Sequence, residues 1–138
     1  MEADRAAVVV CVSAVIDTSS PLDFAALLTD PEPRAADLPW ILNPADEAAV
    51  RLAGTLRARG EAILGVHVGP LAGEPIVRNA VAAGLDRAIR VELPAGETQE
   101  APQVAEALAQ FLLDPAPDWV LCGQATLDWG SGLVGPAI

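Results

Sequence analysis

The sequence predicts an α/β fold, a doubly wound parallel sheet, and three observations carry that reading. Short aliphatic runs at 8–16, 63–68 and 119–122 alternate with alanine-rich stretches long enough for helices, the pattern of βαβ units. Hydrophobic residues make up 52% of the 138 residues but aromatics only 4%. The core is therefore built from Ala, Val, Leu and Ile, which suits strands buried on both faces beneath helices. Glycine or proline closes the segments, as at Gly69-Pro70, Gly84 and Gly123. A chain of this length suffices for one domain with a real core.

Residues 8–16, VVVCVSAVI, are a continuous β-branched run and read as one strand buried on both faces. The stretch from Pro21 to Leu42 holds four prolines and matches no long element. Within it, residues 38–42 suit a short edge strand, where proline is tolerated. Asn43-Pro44 announces a helix, with Asn as N-cap and Pro at the first helical position. Asp46 and Glu47 fall in its first turn and Arg57 and Arg59 in its last, each sign favoured there by the helix dipole. Gly60 closes it. Residues 63–68 form the second strand, and a helix follows from about Glu74 to Ala83, closed by Gly84. Arg87 to Glu92 is a third strand, Pro94-Ala95-Gly96 a turn, and Ala101 to Leu113 a further helix. Pro115 and Pro117 precede a fourth buried strand, Trp119 to Cys122.

Charge excludes several functions. The formal net charge is −11, from 19 acidic and 8 basic residues, and every basic residue is arginine. Nucleic acid and anionic membrane surfaces both require a basic footprint that is missing here. No stretch approaches the ~18 apolar residues of a membrane span. The start, Met1-Glu2-Ala3-Asp4-Arg5, is acidic and unlike a signal peptide, so a cytoplasmic protein is expected. Cys11 and Cys122 sit inside apolar runs and read as buried reduced thiols. A disulfide or metal pair is the alternative, with no further His or Cys nearby to complete four ligands.

The end of the sequence holds the strongest chemical signal. The run Trp119-Val120-Leu121-Cys122 stops at Gly123, and Gly130-Ser131-Gly132-Leu133-Val134-Gly135 follows. A strand leading into a glycine-rich turn and a helix start presents backbone N–H groups to an anion. Gly130, Gly132 and Gly135 spell G-x-G-x-x-G, but the dinucleotide fingerprint belongs after the first strand, with an acid ~20 residues later. A lysine-bearing phosphate loop is excluded because the chain has no lysine. In open α/β sheets ligands bind beyond the carboxyl ends of the strands. That places Ser13, residues 68–70, Gly123, Asn43 and the Ser131 loop around one crevice, unless the glycines serve only as turns. His67, at the second strand's end, reads as a satisfied edge histidine. Trp129 suits either capping of an apolar crevice or plain packing.

Five ordered blocks then resemble the β subunit of electron transfer flavoproteins: VVVCVSAVIDT at 8–18, ILNPADEAAV at 41–50, AILGVHVGP at 62–70, NAVAAGLDRAIRV at 79–91 and PDWVLCGQATLDWGSGLVGP at 117–136. The resemblance implies an adenine-nucleotide-binding, Rossmann-like three-layer sandwich over residues 1–138. It implies AMP, or FAD in bifurcating members, as cofactor, and an electron transfer flavoprotein α subunit as partner. The resulting heterodimer carries electrons from dehydrogenases and is not itself an enzyme. The positions that match the family's nucleotide site are Cys11, Asn43, Val68, Gly123, Asp128, Ser131, Gly132, Val134 and Gly135.

Departures from the family pattern are specific. Ser13 and Ala14 stand where the family carries basic residues, and Gln124-Ala125 where it carries Lys-Gln. Trp129, Gly130 and Leu133 stand where its loop carries a run of acids and a glutamine. Charge-assisted contacts are worth ~1.5–3 kcal/mol each, so their loss weakens a nucleotide by orders of magnitude. A degenerate structural or interaction domain of the same fold is therefore the alternative. Stand-alone adenine-nucleotide sensing, in the manner of stress-protein domains, ranks third because Gly130-Ser131 offers only part of the needed loop. Family members are longer, so the chain reads as C-terminally truncated, with an apolar face left to drive homo-oligomer formation or dependence on a partner.

Overall fold

A computed structural model describes residues 6–21, 23, 25, 29, 38–56, 60, 62–93, 100–114 and 116–138. In chain order the elements are β1 (Val8–Cys11), β2 (Ala14–Ile16), β3 (Trp40–Leu42), α1 (Pro44–Leu56), β4 (Ile63–Val68), a 3-10 turn (Leu71–Gly73), α2 (Glu74–Ala83), β5 (Arg87–Val91), α3 (Ala101–Leu112), β6 (Trp119–Cys122) and a single helical turn, α4 (Val134–Ala137). Four strands form the main sheet in the order β5-β4-β1-β6. Every neighbouring pair in it is parallel.

Period-two alternation divides the strands between two hydrophobic layers. Val8, Val10 and Ile63 face Ala49, Val50 and Ala53 of α1 and Ala80 of α2. Val9, Cys11, Leu64, Val66 and Val68 face the other way, onto Leu108 and Leu112 of α3. The result is helix, sheet and helix in three layers, as expected from the sequence. Small side chains on the helices permit this close approach, which explains how a core nearly devoid of aromatics fills its volume.

Two expectations need correction. Residues 8–16 are not one strand. The ladder continues as far as the Val12 N–H, which donates to Val66 O at 2.8 Å. The chain then leaves the main sheet at Ser13, and β2 pairs antiparallel with β3, Val15 opposite Ile41. The short edge strand expected within 38–42 is present as β3, half of a small separate ribbon. The fourth strand is not buried on both faces, because β6 is the sheet's outer edge and Trp119 is 60% exposed. Periodicity cannot register that difference, since an apolar run reads the same at a sheet's centre and at its edge.

Helix ends follow local chemistry. Glycine stops α2, where Gly84 adopts φ 142° and its N–H donates to Val81 O, a conformation costly for a side chain. Arg57 and Arg59, the 94–96 turn, Pro115 and most of the 21–39 stretch lie outside the described residues.

Burial ranks the core. Ile63 is fully enclosed while Leu71 is 62% exposed. Ile63→Ala is expected to cost about 2–5 kcal/mol through lost transfer energy and cavity formation. Leu71→Ala should stay within about 0.5 kcal/mol. Urea denaturation of both variants measures the difference.

Candidate functional site at the carboxyl ends of the strands

Strand order reverses at β1. The chain passes from β1 to β4 and β5 on one side, then returns to add β6 on the other. In such sheets the crevice opens beyond the carboxyl ends on either side of the reversal, here Cys11 and Cys122. These two residues are register partners in adjacent parallel strands.

The loops leaving β1 and β6 are held apart and fixed by one carboxylate. Asp46, 4% exposed, accepts the Ser13 N–H at Oδ2 (2.9 Å) and the Gly123 N–H at Oδ1 (3.0 Å). Burial pushes its pKa up, opposed by hydrogen bonds from Asn43, Ser13 and Gly123. Gly123 lies so close to the start of α1 that a Cβ there would fall 2.3 Å from Asp46 Oδ1 and 2.8 Å from the backbone of Ala45. Only glycine fits without displacing the helix.

Asn43 is almost fully buried and its backbone carbonyl accepts the Asp46 and Glu47 N–H groups, opening α1. Its amide reaches the loop after β6. Nδ2 donates to Ala125 O at 3.0 Å, and Oδ1 accepts the Leu127 N–H at 3.1 Å. The residue thereby ties the loop after β6 to α1.

Val68 and Cys11 share one apolar cluster, and Cys122 and Val134 pack against it. Gly135 lies over Cys122, where a Cβ would meet Cys122 Cβ at 3.5 Å. The two thiols end adjacent strands as register partners. Donation by Cys11 holds the Cys122 thiol below its ordinary range, while the same bond and deep burial push Cys11 up.

Six of the sequence-derived positions therefore converge: Cys11, Asn43, Val68, Gly123, Val134 and Gly135. Asp128, Ser131 and Gly132 lie further along the loop. Asp128 Oδ1 accepts the Trp129 N–H at 2.8 Å, a local turn, and Ser131 is exposed. Gly130 and Gly132 both adopt φ +61°, and Gly130 N–H donates to Thr126 O. Among the described residues, the N–H groups of Ser131 to Gly135 find no acceptor. Trp129 does not cap a crevice, because it is 87% exposed. The described arginines lie elsewhere: Arg51 and Arg78 pair with Glu47 and Glu74 on helix surfaces, and Arg87 and Arg90 sit on β5.

His67 departs from expectation. It is buried between β1 and β5 rather than at an edge, with Nδ1 2.9 Å from Val12 O. Nδ1 thus carries the proton, and Nε2 has no partner among the described residues. Burial, and secondarily the Arg90 charge, hold its pKa down against the Val12 bond.

Sequence reasoning overlooked Asp46 as a site residue, crediting it only to the helix dipole. Its placement in the first turn was visible. That an acid there reaches two strand ends depends on where β1 and β6 stop.

A three-layer parallel α/β domain with its loops gathered at the strand reversal defines the class of open α/β sandwiches. Within that class, the chain belongs to the electron transfer flavoprotein domain family, whose description matches residues 35–138. It is 33% identical to electron transfer flavoprotein subunit beta of Bacillus subtilis over 102 residues, covering 72% of this chain and 39% of that protein. Identity to the subunit beta of Syntrophomonas wolfei is 34% over 129 residues, covering 92% and 49%. The acryloyl-CoA reductase electron transfer subunit gamma of Anaerotignum propionicum is 29% identical over 133 residues, covering 94% and 49%. The chain thus spans half or less of the length of these relatives.

Two outcomes are expected. Asp46→Ala strands two amide donors, at about 1–3 kcal/mol each, whereas Glu47→Ala, in an exposed pair with Arg51, stays within about 0.5 kcal/mol; thermal unfolding compares them. For His67, the unfolded chain titrates near 6.5 while the folded pKa is lower. As pH falls below ~6.5 the unfolded state takes the proton first, so stability drops, by at most about 1.4 kcal/mol per pH unit. His67→Gln should flatten that part of the profile in urea titrations between about pH 7 and 5.

Proposed function

We propose that this chain is the nucleotide-binding core of an electron transfer flavoprotein β-type subunit. It binds AMP, or FAD, in the crevice at the β1–β6 reversal and pairs with an α subunit in the cytoplasm. The pair carries electrons delivered by dehydrogenases, and the chain itself is a carrier module rather than an enzyme. The observation that carries this reading is the convergence of Cys11, Asn43, Val68, Gly123, Val134 and Gly135 beside a glycine loop with unused N–H groups. Residues 1–138 act as one domain.

The residues fit an adenine nucleotide held mainly by backbone. Cys11, Val68 and Val134 supply an apolar wall, and Asp46 and Asn43 keep the two loops in place. The N–H groups of 131–135 and the Ser131 hydroxyl would hold a phosphate, since no described arginine lies on that loop. Gly132 would lie beside the phosphate with Gly135 and Asp128 completing the loop. When FAD is bound, the flavin supplies one- and two-electron chemistry.

A second reading, a degenerate interaction domain, draws on a different observation. The Ser13 and Gly123 N–H groups and both ends of the Asn43 amide are already consumed internally. Isothermal titration with AMP, ADP and FAD, on the chain alone and with a candidate α subunit, separates the two. Saturable binding that Ser131→Ala weakens about tenfold or more supports the first. Absence of nucleotide and partner binding at high micromolar concentration, by a folded chain, overturns it in favour of the second. The first reading also brings self-association or reliance on a partner, which light scattering of a stable monomer at high concentration would contradict.

A further inference from the structure

The two cysteines are far apart in the sequence and adjacent in the fold. Cys11 ends β1, Cys122 ends β6, and the strands pair in parallel with these residues opposite each other. Neighbouring strands lie ~4.8 Å apart, inside the ~4.4–6.8 Å range of Cα separations that a disulfide spans. In-register side chains project from the same face of a sheet, and both belong to the cluster beneath α3. Both are free thiols, one buried and one half-exposed.

We propose that Cys11 and Cys122 form a reversible dithiol–disulfide pair that answers to low-molecular-weight disulfides. The accessible Cys122 is the attacking thiol and the enclosed Cys11 the resolving one. Cys122, as thiolate, attacks one sulfur of the small disulfide, whose S–S bond breaks as the mixed disulfide forms. One small thiolate leaves and takes up a proton. Cys11 then loses its proton to solvent and attacks Cys122 Sγ, and the second small thiolate departs and is protonated. Two protein thiols are oxidised and one disulfide is reduced to two thiols. The hydrogen bond from Cys11 favours the Cys122 thiolate, which is the reacting species.

Two features make the bond labile rather than structural. A disulfide wants Cβ atoms ~3.8 Å apart, closer than the strand spacing, so closing it draws the ends of β1 and β6 together. Strained disulfides are the readily reduced ones. The Asp46 bonds to Ser13 and Gly123, each one or two residues further on, resist that movement. Oxidation would therefore be felt at the mouth of the crevice. The inference stands on thiol geometry and does not rest on nucleotide binding.

Reduced native chain is incubated with glutathione disulfide, then analysed by intact mass under denaturing conditions and by non-reducing peptide mapping. The expected product is a monomer lighter by two hydrogens, with a Cys11–Cys122 linked peptide, fully restored by dithiothreitol. In Cys11→Ala, Cys122 should instead accumulate as a persistent glutathione adduct. Retention of both free thiols, stable glutathione adducts on the unaltered chain, or disulfide-linked dimers would each overturn the proposal. So would closure seen only in the urea-unfolded chain. The unaltered chain alone decides the matter should the variant fail to fold.

Discussion

One buried carboxylate organises the functional end of this domain. Asp46 binds the first free amide after β1 and the first after β6, at the place where the sheet reverses direction. Both strands stop pairing there, so their amides need acceptors that the ladder no longer supplies. Placing a single acid in the first turn of α1 satisfies both and sets the separation of the two loops. The acid carries a desolvation cost, which the hydrogen bonds and the positive end of the helix offset only in part, so its pKa stays raised.

Other features follow from that constraint. Gly123 must lack a side chain because α1 sits against it. Asn43, at the start of the same helix, extends the connection to residues 125 and 127. After Ser13 the chain leaves the main sheet and β2 pairs with β3, whose end delivers the chain to Asn43. The crevice and the helix that frames it are thus built by one short closed circuit of backbone and two polar side chains. The glycine loop at 130–135 hangs from the end of this circuit, and α4 returns it over Cys122.

The chain belongs to the electron transfer flavoprotein domain family. Around its strand ends it carries fewer charges than the resemblance implies. Its 130–135 loop carries backbone N–H groups without acceptors among the described residues, and the described arginines lie on helices and on β5. The polar groups nearest the strand ends serve the protein itself. A nucleotide here would be recognised by shape, apolar contact and backbone dipoles, with ligand affinity set by how well the loop is preorganised.

Local pattern determined much of this protein. The aliphatic runs, the Asn43-Pro44 start, the Gly84 stop and the alanine-rich helices identify a three-layer parallel sheet, because burial on both faces and helical spacing leave direct marks on residue order. The strand ends were legible in outline, since glycines mark them. Tertiary structure alone decided that 8–16 divides at Ser13, that β6 is an exposed edge, that His67 is enclosed, and that Asp46 joins two strands. It alone brought Cys11 and Cys122 side by side. Those outcomes depend on strand order and on partners distant along the chain, and neither is encoded in the periodicity of a single segment.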